Sequence, residues 1–259
     1  FAIDGFRIDT VKHVNLEFWR KFTPAIMQAA RDAGKPEFYV FGEVYSSNPQ
    51  LLSFYTTDPD MPGALDFRFQ EGVRGYVSGG GSAQNMQTLF AGDDWFTDED
   101  SNVYSLPTFI GNHDMGRFGY FLNADNGSQS DADKLSRAEM ANALMYFGRG
   151  VPVTYYGDEQ GFTGDGGDKD ARQDMFPSQV ASYNDDDLIG TDKTTADDNF
   201  DPAHPLYQAF GQYAQVYAAN KALQTGAQIH RYAANGPGIY AFSRIDRTDK
   251  IEYVVALNN

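Results

Sequence analysis

Apolar and polar positions along this chain fall into two kinds of segment. Short runs dense in aliphatic and aromatic residues carry polar residues at their C-terminal ends: DGFRIDTVKHV over 4–14, EFYVFGEVY over 37–45, LPTFIGNHD over 106–114 and GVPVTYYGDE over 150–159. Between them lie longer stretches whose apolar positions recur near helical period. Leu16, Trp19, Phe22, Ile26 and Ala30 do so after Asn15, a fitting N-cap, and before Gly34, a fitting stop, with Pro24 expected to kink the helix. A shorter helix is expected near 50–55. GALDFRF over 63–69 reads as a further strand, followed by a helical zone through Leu89. Ala138, Ala141, Leu144, Met145 and Gly148 share one face of a helix before the last apolar run. Strands alternating with helices predict a parallel sheet.

The pattern changes after residue 160. Residues 161–201 are rich in Gly, Asp and Thr and long enough to predict a functional loop. His204-Pro205 then opens a helix with Leu206, Phe210, Tyr213 and Tyr217 on one side, proline being suited to the first helical position. Beyond it the period drops to two, and GIYAFSR and IEYVVAL around IDRTDK predict an antiparallel hairpin. Two domains are expected, 1–226 and an all-β unit from 227 to 259 that the chain only begins.

Polar residues close the strands: Asp9 the first, Glu43 the second, His113-Asp114 the fourth and Asp158-Glu159 the last. Glu43 follows Asp9 by 34 residues and Asp114 follows Glu43 by 71. These intervals are near one and two βα units of a barrel, roughly 31 residues each. The three carboxylates should share the C-terminal rim, where such barrels keep their active sites. Arg7 precedes Asp9 by two residues, so both point the same way in a strand and the cation can hold the carboxylate ionised. Taken alone, that pair serves equally as a structural ion pair. Two carboxylates flanking a bond are the minimum for retaining glycoside hydrolysis, at a separation of about 5 to 5.5 Å.

Composition narrows the chemistry. With 20 Lys+Arg against 36 Asp+Glu the formal charge is -16, which disfavours nucleic acid or an anionic membrane as partner and suits a neutral ligand. The absence of cysteine and the lack of an H-E-x-x-H spacing among four histidines argue against thiolate sites and zinc. No apolar run approaches the roughly 18 residues of a membrane span, and no signal-peptide pattern opens the chain. The 15% aromatic content suits a sugar-stacking surface but fits an ordinary core better.

DGFRIDTVKHV, FGEVY, FIGNHD and GVPVTYYGDEQG, in this order and at these spacings, resemble the segments at the fourth, fifth, seventh and eighth strands of the α-amylase family of glycoside hydrolases. The resemblance covers nearly the whole chain. It implies an α/β fold, the C-terminal part of a (β/α)8 TIM barrel (strands 4–8) followed by the start of an antiparallel β domain. The chain would open inside the fourth strand, strands one to three lying outside it. Residue by residue, Asp9 resembles the nucleophile, Glu43 the general acid/base and Asp114 the stabiliser of the transition state. Arg7 resembles the residue that orients Asp9, and His113 a hydrogen-bond donor to the sugar. Lys12-His13 is similar to the pair in α-1,4-glucan-cleaving members that lines the leaving-group side. There the His13 carbonyl would ligate a structural Ca²⁺ whose side-chain ligands lie outside this chain.

The loop DKDAR resembles one that lines glucose subsites, which makes Asp168 and Arg172 substrate-binding candidates, although a solvated loop accounts for it as well. Asp4, Asp158 and Glu159 read as structural, Asn112 and Arg117 as supporting residues, and NADNG over 123–127 as a turn. The activity implied is hydrolysis of α-1,4-glucosidic bonds in starch-like glucans or maltooligosaccharides through a covalent glucosyl-enzyme intermediate, by a monomeric, secreted enzyme. A transglycosylase on the same site and a non-catalytic glycan-binding fragment are the alternatives.

Overall fold

The computed structural model describes residues 3–259. Five short strands run parallel in chain order: β1 (Gly5–Ile8), β2 (Tyr39–Gly42), β3 (Gly63–Ala64), β4 (Pro107–Thr108) and β5 (Val151–Pro152). β1 pairs with β2 from Gly5↔Tyr39 to Ile8↔Gly42, β2 with β3 at Phe41↔Gly63, and β4 with β5 at Pro107↔Val151. A backbone bond, Asp66 N–H to the Pro107 carbonyl at 2.9 Å, bridges β3 to β4. Between the strands run α1 (Leu16–Asp32), α2 (Pro49–Thr57), α3 (Phe67–Val73), α4 (Ala83–Ala91), α5 (Phe118–Asn126) and α6 (Asp131–Phe147). After β5 come α7 (Ala181–Asn184), α8 (Pro205–Ala219) and α9 (Lys221–Thr225). This is an arc of successive βα units, with the helices outside and the strand C-termini on one rim.

Several elements depart from their apolar patterns. GALDFRF pairs only at Gly63–Ala64, and Phe67–Phe69 are helical. The Asp66 carboxylate accepts from the Phe69 N–H at 3.0 Å and starts α3 there. LPTFIGNHD and GVPVTYYGDE pair over two residues each, and Asp158–Gln160 form a 3₁₀ turn after Gly157 (φ 87°) in place of a strand end. Phe67, Phe109 and Ile110 are apolar because they are buried, not because they extend a ladder. Asn15 precedes α1 without a side-chain cap bond, and α1 continues through Pro24. NADNG forms the last turn of α5 with Gly127 just beyond, and Asp125 there accepts from Arg74 and Ser78. Gly148 terminates α6 and does not belong to its face.

Two large apolar clusters, with a third small one of Leu65, Phe67 and Phe109, hold the arc together. One packs Trp19 of α1, Val40 of β2, Leu52 of α2, Val11 and Met61. The other joins α3, α4, α5 and α6 to a C-terminal antiparallel sheet of β6 (Ala227–Ala233), β7 (Ile239–Ile245) and β8 (Glu252–Asn258) through Tyr240 and Phe242. Arg244 on β7, fully buried, donates to the carbonyls of Phe147, Gly148 and Gly226. A cation thus closes the C-terminal end of α6 and bolts the sheet to the arc. Burial pulls its pKa down to about 10, so it is still charged at neutral pH. Among the described residues no helix is long and apolar enough to cross a membrane.

Candidate active site

The ends of β1 and β2 bring Arg7, Asp9 and Glu43 together. The β1–β2 register continues past the strands: Glu43 N–H donates to Ile8 O at 2.8 Å and Val11 N–H to Glu43 O at 3.0 Å. Gly42 allows this close approach, because a Cβ there would stand 2.6 Å from Met61 Sδ and 2.8 Å from Val11 Cγ2. Arg7 reaches upward between the carboxylates. Its Nη1 donates to Asp9 Oδ1 and its Nη2 to Glu43 Oε2 at 3.0 Å. The Glu43 side chain is only 12% exposed, whereas that of Asp9 is 61% exposed.

Their acidities diverge. Asp9 is lowered, first by its hydrogen bond with Glu43 and then by the one from Arg7, with a smaller contribution from His113. Glu43 is raised, first by burial and then by the bond it makes to Asp9. The proton of the pair therefore belongs on Glu43 and the negative charge on Asp9. One guanidinium holds both carboxyl groups, Asp9 through Nη1 and Glu43 through Nη2.

The segment after β4 supplies His113 and Asp114. Asn112 Oδ1 accepts from the N–H groups of Asp114 and Met115, both at 2.9 Å, and Gly116 (φ 110°) closes the turn back onto Asn112. His113 Nε2 lies 3.2 Å from Asp114 Oδ2. From the loop after β5, Arg172 Nη2 comes to 3.7 Å from Asp114 Oδ1 while bonding Asp168 at 3.0 Å. Asp168 and Arg172 thus meet the β4 turn. Lys12 instead turns to the β2 loop, its Nζ donating to Tyr45 O at 2.6 Å with the ammonium 5.7 Å from the Tyr45 ring. His13 is exposed in the 3₁₀ turn Val11–His13.

Asp4 pairs with Lys35 at 2.5 Å, and Glu159 accepts from Gly157 N–H at 2.8 Å, both structural uses. Asp158 is buried against Arg117 at 3.1 Å. Two residues escaped the sequence pattern. Tyr45, 46% exposed, lies against Phe67 with ring centroids 4.6 Å apart and presents an aromatic surface next to Glu43. Its place two residues after the acid was the available signal. Gln173, fully buried beneath Arg172, had none.

A calcium ion takes six to eight oxygens. Among the described residues the carboxylates grouped closely enough to hold a cation are Asp165, Asp185 and Asp186, in the loop after β5. Among the described residues that group does not include His13, which offers a single neutral carbonyl. These residues do not by themselves fit a calcium ion at His13. A cavity of about 450 Å³ lined by Thr23, Tyr39, Met61 and Ser105 lies away from the rim, at the opposite, N-terminal ends of the strands. In βα arcs that end serves stability rather than chemistry.

The catalytic-domain profile of alpha amylase matches residues 2–232 of this chain. An alpha-amylase of Streptomyces lividans is 51% identical over 259 residues, all of this chain and 28% of that protein. A cyclomaltodextrin glucanotransferase of Niallia circulans is 30% identical over 241 residues, covering 88% of this chain and 31% of that protein. Among solved structures an Anoxybacillus alpha-amylase superposes with a TM-score of 0.77 at 24% identity, over 99% of this chain and 48% of that one. The chain therefore spans about a third or less of the length of these two sequence relatives. The arc of β1 to β5 is part of a TIM barrel, with an antiparallel sheet following it.

Proposed function

The chain belongs to the α-amylase family, and from that premise we propose that it carries the catalytic carboxylates of a retaining glycosidase acting on α-1,4-linked glucans. The observation that carries this reading is the pairing of two carboxyl groups on one arginine with opposed acidities, Asp9 lowered and Glu43 raised. Asp9 attacks the anomeric carbon while Glu43 gives its proton to the departing glycosidic oxygen, and a glucosyl ester forms on Asp9. Glu43, now ionised, takes a proton from water, which attacks the same carbon and releases the sugar with retained configuration.

Asp114 stabilises the positive charge that develops on the sugar ring, and His113 donates to a sugar hydroxyl beside it. Arg7 orients Asp9. Lys12, His13, Asp168 and Arg172 line the flanking subsites, and Tyr45 adds a face for stacking. The acidic balance suits a neutral glucan better than a polyanion. We place the protein outside the cell as a monomer. A structural Ca²⁺ at His13 belongs to this proposal only where further oxygen ligands join from beyond the chain, and no catalytic step runs through it. Transfer of the glucosyl group to a sugar hydroxyl in place of water is the second reading, favoured by the 30% identity to a glucanotransferase. The product pattern from maltoheptaose separates the two.

The deciding experiment is Glu43→Gln in the full-length protein, assayed on starch and on a glucosyl fluoride. Fluoride leaves with little acid help, so formation of the glucosyl ester is expected to recover on the fluoride by at least tenfold relative to starch, an order taken from the usual worth of general acid catalysis. Equal loss on both substrates removes Glu43 from the role of proton donor.

A further inference from the structure

Beneath Asp114 runs a closed ring of contacts that joins the β4 turn to the loop after β5. Arg117 follows Asp114 by three residues, is fully buried, and donates from Nε to Gln173 Oε1 at 2.7 Å. Its Nη1 donates to Tyr156 O at 2.6 Å and Asp158 Oδ1 at 3.1 Å, and the faces of Tyr155, Tyr156 and Phe162 stand 4.5 to 5.0 Å from its Cζ. Gln173, also fully buried, directly follows Arg172, whose Nη2 is 3.7 Å from Asp114 Oδ1. The ring closes a second time through the backbone, where Asp168 N–H donates to Asp114 O at 3.2 Å. Gly167 fits that contact because a Cβ would stand 2.4 Å from the same oxygen.

The Gln173 amide can face only one way in this ring. Its Oε1 accepts from Arg117 and its Nε2 donates to the buried Asp186 at 2.5 Å. Both halves of the amide are used, and the Arg117 guanidinium fixes its orientation, since a guanidinium only donates and so must face the amide oxygen. The backbone at 173 is thereby fixed, and with it the stem of a long, half-exposed arginine that would otherwise sample many rotamers.

We infer that Gln173 is a positioning residue for Asp114, acting through Arg172: it holds the guanidinium against the carboxylate so that Asp114 keeps the orientation the transition state requires. The inference rests on the glycosidase reading above.

The test is a cycle of Arg172→Gln, Gln173→Leu and the double variant in the full-length protein, with kcat and KM on maltoheptaose measured well below each melting temperature. Displacement of a catalytic group by about 1 Å costs up to a hundredfold, so each single variant is expected to lower kcat about tenfold or more, with KM within threefold for Gln173→Leu. The double variant is expected to fall no further than the worse single one, because one residue works through the other. A polarity swap supplies the rescue. Gln173→Glu sets a carboxylate against Asp186 and lowers kcat, whereas Gln173→Glu with Asp186→Asn restores the amide–carboxylate pair in reverse and returns kcat to within threefold of the parent. Additive losses in the cycle, a kcat for Arg172→Gln within twofold of the parent, or a swap without recovery each overturn the inference. Asp114→Asn is the control for the underlying reading: if it keeps its activity on maltoheptaose, the glycosidase assignment of this rim fails instead, whatever the Gln173 variants do.

Discussion

Arg149→Met tests how the rim is held in place. Arg149 stands two residues before β5, is fully buried, and donates Nη1 to Asp66 at 2.5 Å and Nε and Nη2 to the two oxygens of Asp93 at 2.9 and 2.8 Å. Asp66 has no exposure and starts α3, and the Asp93 side chain is 18% exposed. One guanidinium therefore ties the entry of β5 to the β3–α3 corner, and Gln228 of β6 reaches it by accepting from its N–H at 2.8 Å. Methionine matches the length of the stem but leaves both carboxylates without their cation. Asp93 retains Arg68 at 3.9 Å, a weak substitute, and Asp66 retains one N–H, that of Phe69. Breaking a buried pair on one side costs about 3 to 5 kcal/mol. With two anions orphaned and one partly compensated, the middle of that range, about 4 kcal/mol, is the expectation. The assay is urea unfolding of the full-length protein, read as the midpoint shift multiplied by the slope. Adding Asp66→Asn removes one orphaned charge while keeping the cap, and is expected to recover about 1 to 2 kcal/mol of the loss, the penalty of one unsatisfied buried polar group. A loss below about 1 kcal/mol for Arg149→Met would refute the reasoning, since it would put this pair in the class of surface bridges.

Two pH dependences follow from the same physics. Because Asp9 is lowered and Glu43 raised, kcat/KM on soluble starch should be bell-shaped, with the acid limb set by protonation of Asp9 and the alkaline limb by ionisation of Glu43. Arg7→Met removes the cation that favours ionised Asp9, so the acid limb should move to higher pH, and a limb that stays put or moves down contradicts the role given to Arg7. The second dependence concerns the loop after β5, where burial raises both Asp158 and Asp186 to about 7. A carboxyl raised in the folded state contributes stability that is complete below its unfolded pKa, near 4, and is lost as pH rises through about 7. Hydrogen-exchange protection over residues 161–201, corrected for intrinsic rates, should therefore decline from pH 4 to pH 8, and flat or rising protection would count against buried, proton-holding carboxyls.

Much of the site was legible in the chain because its chemistry lies within a few residues of each strand end. Asp9 and Glu43 follow β1 and β2 directly, so a reader who counts 34 residues between them has already placed them on one rim. His113-Asp114 was legible for the same reason although its strand pairs over two residues only, since a rim position depends on the order of βα units more than on ladder length. The strand over 63–69 was misread because aromatic density reports burial, and burial does not distinguish a ladder from the first turn of a helix capped by Asp66.

By itself, then, the sequence determined the alternation of strands and helices, the change to period two near the C-terminus, and the carboxylates with their rim, all features encoded locally or by regular spacing. Tertiary structure alone decided which carboxyl keeps the proton, because that depends on Glu43 being nearly enclosed while Asp9 stands open beside the same guanidinium. It decided that Lys12 turns to Tyr45 while Arg172 turns to Asp114. It also decided that a glutamine with no motif around it sits under the β4 turn, 56 residues from its arginine partner. Charge, burial and hydrogen bonding at a point in space are sums over segments distant in the chain, and no local pattern records such a sum.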